Sequence, residues 1–271
     1  MNGARLKEVL SGGGAVHGTM VNCLRDPRLA AIFGQLGFDF VVLDTEHSPN
    51  DRGAVADAAA AYLAAGVCPV VRVPTTAPAG VIMALDGGAQ GVMVPYCETP
   101  DEVRAAVTAA RLRPLKGAFL ERVLAGGALP NDETREYLAR RNRNVVVFIG
   151  IESVPAVERL EAILDAGAAA GGVDALMIGP NDLSVSLGVP EQYDHPRYVE
   201  AVEHIVRAAE ARGVAAGPQC MTAEQAALWR GNGARFMLLS SDWRALAEGY
   251  RPILARLRGD PDPAGAITKP A

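Results

Sequence analysis

Val41-Val42-Leu43-Asp44-Thr45-Glu46-His47 is an apolar run that stops abruptly in two carboxylates and an imidazole. Ionisable groups at a strand tip are costly to bury unless they are paired, liganded or used. The stretch therefore reads as a buried strand whose end opens on a polar site. Working outward, Val70-Val71 stops in Arg72, Ile151 stops in Glu152, and Leu176-Met177-Ile178 leads through Gly179-Pro180-Asn181 to Asp182. Apolar runs without polar alternation are what a sheet needs when helices cover its outer face.

Eight such segments, at 16–22, 39–44, 69–73, 91–95, 144–151, 174–178, 214–218 and 235–239, alternate with longer Ala/Leu-rich periodic stretches. Right-handed crossovers between parallel strands then predict an α/β fold, a TIM (β/α)8 barrel, with an open doubly wound sheet as the competing arrangement. Helix starts are legible at Asp26-Pro27, at Thr99-Pro100-Asp101-Glu102 and at Thr222-Ala223-Glu224-Gln225. The expected organisation is one domain over 1–271. It carries a loop or helical excursion at 112–143, with a helix over 131–141, and a flexible tail at 259–271, where glycine and proline accumulate.

The formal net charge of −5 gives no reason to expect a nucleic-acid partner. Tyr96, Phe119, Trp229 and Trp243 are too scattered to form a base-stacking platform. No apolar run is long enough to span a membrane, and no signal core opens the chain. Cys23, Cys68, Cys97 and Cys220 lack paired metal-binding spacing and read as reduced thiols of a cytoplasmic protein.

If strand ends share one mouth, Glu152 and Asp182 are metal-ligand candidates, since two carboxylates with open positions suit a hard divalent ion. Each also reads as a helix cap or turn former. Arg72 has the fork for a carboxylate or a developing enolate, or for a structural pair with Asp44 or Asp86. His47 suits proton transfer, with Asp44 and Asp86 as candidate orienters, or is a satisfied structural group. Gly179 and Pro180 let a ligand approach the backbone, or simply make the turn.

Gly37-Phe38-Asp39 through Asp44-Thr45-Glu46-His47-Ser48-Pro49-Asn50, Val70-Val71-Arg72-Val73-Pro74, Ile151-Glu152-Ser153 and Ile178-Gly179-Pro180-Asn181-Asp182-Leu183-Ser184 come in an order and spacing that cover most of the chain. In these the chain resembles the class II pyruvate-dependent hydroxy-ketoacid aldolases, the family of hydroxyketoheptanedioate aldolase and 2-dehydro-3-deoxyglucarate aldolase. The resemblance implies a TIM barrel assembled as a homo-oligomer, hexamer or trimer, with a helix exchanged between subunits. It implies a divalent ion at Glu152 and Asp182, Mg2+ or Mn2+ with Co2+ or Zn2+ as alternatives. His47, near Asp44 and Asp86, would move a proton, while Arg72 would hold a ketoacid oxygen. Pyruvate or a related 2-ketoacid and an aldehyde would be the partners, joined or released through a pyruvate enolate.

Two positions depart from the family's pattern. Gly150 stands where glutamine is common, and Arg113-Pro114-Leu115-Lys116-Gly117-Ala118-Phe119 replaces a glycine-arginine-glycine loop. Three readings follow: a reversible aldolase, a specialised biosynthetic carbon-carbon bond-forming enzyme or oxaloacetate decarboxylase, and a non-catalytic metabolite-binding barrel.

Overall fold

The structure is a computed structural model describing residues 1–259. Eight parallel strands pair in chain order and close on themselves: β1 (Val16–Val21), β2 (Phe40–Asp44), β3 (Cys68–Arg72), β4 (Gly91–Val94), β5 (Val146–Ile151), β6 (Ala175–Ile178), β7 (Ala215–Cys220) and β8 (Phe236–Ser241). The TIM barrel is the fold, and every expected strand lies within two residues of its observed bounds.

The helices of the described residues are α1 (Gly3–Ser11), α2 (Leu29–Gln35), α3 (Arg52–Ala64), α4 (Pro78–Asp86), α5 (Pro100–Arg111), α6 (Gly117–Leu124), α7 (Asp132–Asn142), α8 (Val154–Glu158), α9 (Leu160–Ala169), α10 (Pro180–Ser186), α11 (Pro196–Glu210), α12 (Ala223–Gly231) and α13 (Asp242–Arg258). Thr99 and Glu102 make the expected reciprocal capping box of α5, and Thr222 caps α12. Asp26-Pro27 does not start a helix. The Asp26 carboxylate is taken by the backbone N–H and guanidinium of Arg28, which closes a turn, and α2 begins at Leu29 without a side-chain cap. In the 112–143 excursion, Asn131 caps the expected helix, α7, whereas α6 has no side-chain cap that sequence could reveal. The expected tail falls, beyond Gly259, outside the described residues.

Strand alternation sorts the side chains into two cores. Outward residues such as Val41, Leu43, Val71, Ile149 and Ile151 pack under the helices, while Phe40, Val42, Val70, Met93, Phe148, Met177, Phe236 and Leu238 fill the barrel. Phe40, Phe148 and Phe236 meet with ring centroids 4.9–5.6 Å apart. Each fully buried ring stabilises the fold by about 2 to 3 kcal/mol. Gly18 on β1 makes room for them, since a Cβ there would lie 2.3 Å from the Phe40 ring. Leu6 and Leu10 of α1 join the same inner core and close the barrel opposite its mouth. Apart from His17 and Thr19 on β1, the strands are thus mostly apolar and buried on both faces, and the catalytic-type polar groups Asp44, Arg72 and Glu152 stand at C-terminal strand ends.

Candidate active site

The inward positions of β2 and β3 end in Asp44 and Arg72, which are register partners across the two strands. Arg72 Nε donates to Asp44 Oδ1 at 2.8 Å, and Asp44 is fully buried. The Asp44 carboxylate also accepts Asn22 Nδ2 (2.7 Å), Ser48 Oγ (3.0 Å) and the backbone N–H groups of Glu46 (3.1 Å) and His47 (3.4 Å). Burial alone would raise its pKa; the hydrogen bond and charge of Arg72, with the Glu46 N–H and Ser48 donors, hold it down at about 2. Asp44 is therefore an anchor for Arg72 and for the following turn.

That turn brings Glu46 into the site. Glu46 Oε2 lies 3.1 Å from Arg72 Nη1 and 3.6 Å from His47 Nε2. The contact with Arg72 is an ion pair off the donor's line, so this buried oxygen has no hydrogen bond. Burial pushes the Glu46 carboxyl up, the nearby Asp44 and Asp182 charges add to the rise, and Arg72 and His47 pull against it. The carboxylate beside the exposed His47 ring is thus Glu46. Asp44 meets the His47 backbone instead, because its oxygens are saturated by five donors. Asp86 ends α4 and pairs with Arg113 Nη1 at 3.6 Å. The signal for Glu46 was its place in the Asp44-to-His47 run, two residues after an inward strand position.

Across the mouth, inward alternation on β5 passes through Val146 and Phe148 to Gly150 and Glu152. Glu152 is 3% exposed, and its Oε1 is buried without a hydrogen-bond partner. Two glycines make its cradle. A Cβ at Gly150 would lie 2.4 Å from Glu152 Oε1, and one at Gly179 would lie 2.9 Å from Glu152 Cγ. The second follows from register, since Ile151 pairs with Ile178 and the next residues face one another. The Tyr96 N–H supports the carboxylate. Burial nevertheless pushes Glu152 up to about 8, opposed by Arg72 and reinforced by Glu46 and Asp182.

Gly179 caps α10, Pro180 opens it, and exposed Asp182 stands in its first turn. Proline lacks an N–H, so Pro180 contributes the shape of this turn and its neighbours contribute the backbone donors. Among the described residues no three His, Cys, Asp or Glu form a metal-holding group. An orphaned buried carboxylate oxygen and a second carboxylate within electrostatic reach nonetheless fit a hard cation that takes its remaining oxygens from substrate and water.

The closed barrel thus sets a turn anchored by Arg72 and carrying Glu46 and His47 across its mouth from Glu152, a buried carboxylate with one unpartnered oxygen. The chain matches the HpcH/HpaI aldolase/citrate lyase family over residues 20–248 and belongs to it, which makes it a carbon-carbon lyase of the aldolase class. It is 32% identical over 245 residues to a 5-keto-4-deoxy-D-glucarate aldolase of Escherichia fergusonii, covering 88% of this chain and 92% of that one. The crystal structure of an HpcH/HpaI aldolase from Desulfitobacterium hafniense superposes with a TM-score of 0.80 at 31% identity, over 94% of this chain and 97% of the other. The citrate synthase SbnG superposes at 0.78 with 28% identity, over 93% and 97%. Among the described residues, no helix is long and apolar enough to cross a membrane.

Proposed function

We propose that the protein catalyses reversible aldol cleavage of a hydroxy-2-ketoacid to pyruvate, or a related 2-ketoacid, and an aldehyde. The observation that carries this reading is the orphaned, glycine-cradled Glu152 carboxylate facing the Arg72–Glu46–His47 turn. Glu152 and Asp182 would hold a divalent ion, Mg2+ or Mn2+ by the hardness of their oxygens. When bound, the ion supplies Lewis-acid polarisation of the ketone, which lowers the cost of the enolate.

The chain's own residues do the rest. Arg72 is fixed by Asp44 through Nε and by Glu46 through Nη1, which leaves Nη2 to hold a ketoacid oxygen and offset its developing charge. His47 takes the proton from the distal hydroxyl as the carbon-carbon bond breaks. The bond's electron pair passes into the enolate, the aldehyde leaves, and the proton taken by His47 is returned through water to the enolate carbon, giving the ketoacid and restoring the imidazole. Glu46, 3.6 Å from Nε2, orients the His47 ring. A specialised biosynthetic condensation or an oxaloacetate decarboxylation would use the same enolate, and the likeness to a citrate synthase supports the former.

The working form in this reading is a homo-oligomer, trimer or hexamer, with α13 exchanged between copies. Its support is an exposed apolar stripe, Leu246, Tyr250, Ile253, Leu254 and Leu257, on a helix that touches the barrel at β1 and β8. Exposed Ile32 on α2, Leu36 at its C-cap and Leu228 on α12 offer a matching surface on a second copy. Three buried free thiols and a half-buried Cys23 suit a reducing compartment such as the cytoplasm.

The test is metal-dependent exchange of pyruvate C3 protons in deuterated water, followed by NMR with chelated protein beside it. Exchange that needs the metal supports enolate formation without requiring the aldehyde. Absence of exchange with Mg2+, Mn2+, Co2+ and Zn2+ contradicts the reading.

A further inference from the structure

Of the residues at the mouth, Tyr96 has no part in the scheme above. It follows β4 through Pro95 in a three-residue turn fastened to β5. Cys97 N donates to Gly150 O at 3.1 Å, the Tyr96 N–H holds the Glu152 carboxylate, and Pro95 Cα lies 3.1 Å from where a Gly150 Cβ would stand. Within the turn Tyr96 alone has a left-handed backbone, φ 51°, a conformation costly for a bulky side chain. Pro95 and Cys97 are buried, while Tyr96 is 44% exposed. The strain turns a large aromatic away from the core and out into the mouth. Non-glycine residues hold such a conformation when surrounding structure enforces it, and such residues gather at binding and catalytic sites.

The phenol there has an apolar ring and one hydroxyl that carries no hydrogen bond to a described residue. It lies within electrostatic reach of the Glu98, Asp182 and Glu152 carboxylates. A donor at the open end of the site, beside the carboxylates assigned to the ketoacid half, is placed to meet the other half of the substrate.

We propose that Tyr96 is the specificity residue for the aldehyde, its phenol hydrogen-bonding a hydroxyl of a polyhydroxylated acceptor while its ring packs on the carbon chain. The inference rests on the aldolase reading and extends it to the acceptor's chemical class. The surrounding carboxylates favour a neutral hydroxylated aldehyde at this position over an anionic one.

The test compares Mn2+-loaded full-length wild type and Y96F in condensation of pyruvate with glyceraldehyde and with propionaldehyde, which differ only in hydroxyl groups. Loss of one neutral hydrogen bond predicts kcat/KM for glyceraldehyde about tenfold lower in Y96F, with propionaldehyde and pyruvate C3 exchange within about twofold of wild type. A merely structural tyrosine would lower both aldehydes together. Equal losses, no loss with glyceraldehyde, or a wild type that does not prefer glyceraldehyde to propionaldehyde overturns the proposal. Absence of pyruvate exchange in wild type overturns the aldolase reading itself, so the two failures are told apart.

Discussion

The two sides of the barrel mouth solve opposite problems. On the β2–β3 side, Asp44 is as deeply buried as any side chain in the molecule, yet two side-chain donors, two backbone N–H groups and the Arg72 guanidinium satisfy it. On the β5–β6 side, Glu152 is almost as buried but leaves an oxygen without a partner. Burial favours the neutral form of both acids; pairing wins for Asp44 at about 2, and desolvation wins for Glu152 at about 8. On the first side Asp44 is satisfied without a ligand and fixes Arg72 as a preorganised cation, and the Glu46 oxygen that lacks a hydrogen bond lies 3.1 Å from that cation. The second gains most from an added positive charge.

Substitutions can break this contrast, and the largest effect belongs to the β5–β6 side. Glu152→Gln keeps the shape but removes the charge, and pyruvate exchange measured by NMR should fall roughly a thousandfold. In metal-free protein the same change should raise thermal stability relative to wild type at high pH. A buried acid raised to about 8 costs stability progressively between its ordinary pKa and that value as pH rises, and glutamine has no charge to bury.

On the β2–β3 side, Arg72→Lys loses the fork that spans Asp44 and Glu46 and should slow exchange about a hundredfold. His47→Gln should slow steady-state aldol cleavage about a hundredfold while leaving pyruvate affinity, read by isothermal titration, near wild type. Asp44→Asn removes one of the two carboxylates that pair with the largely buried Arg72, leaving Glu46, and should cost about 3 kcal/mol in urea unfolding. The Asp44 contribution has a defined pH window. Its folded pKa lies below its unfolded value, so the stabilisation is fully present above about pH 4 to 5 and fades as pH falls through about 2.

The barrel was legible because its evidence is repetitive. Eight apolar runs with caps between them state the period, and an error of two residues at an end, as in β5, moves nothing into a different layer. The convergence of Asp44, Arg72 and Glu152 was legible for a related reason, since each ends a run at an inward position and a closed barrel gathers such positions at one mouth. The partners within that mouth were not. Glu46, rather than Asp44 or Asp86, reaches His47, because side-chain pairing depends on how a turn folds after the strand stops. Gly150 stood out in the sequence as a missing amide, whereas the structure makes it the space that Glu152 occupies. α1, whose leucines close the barrel base, offered too short a pattern to stand out before its tertiary contacts were seen.

The most direct measurement is Mn2+ binding followed by electron paramagnetic resonance in wild type, E152Q and D44N, with circular dichroism confirming that each is folded. If the β5–β6 side holds the cation and the β2–β3 side is self-sufficient, E152Q loses Mn2+ affinity by at least about tenfold while folded D44N stays within a few-fold of wild type. Unchanged binding in E152Q, or a loss confined to D44N, would contradict the division of the mouth.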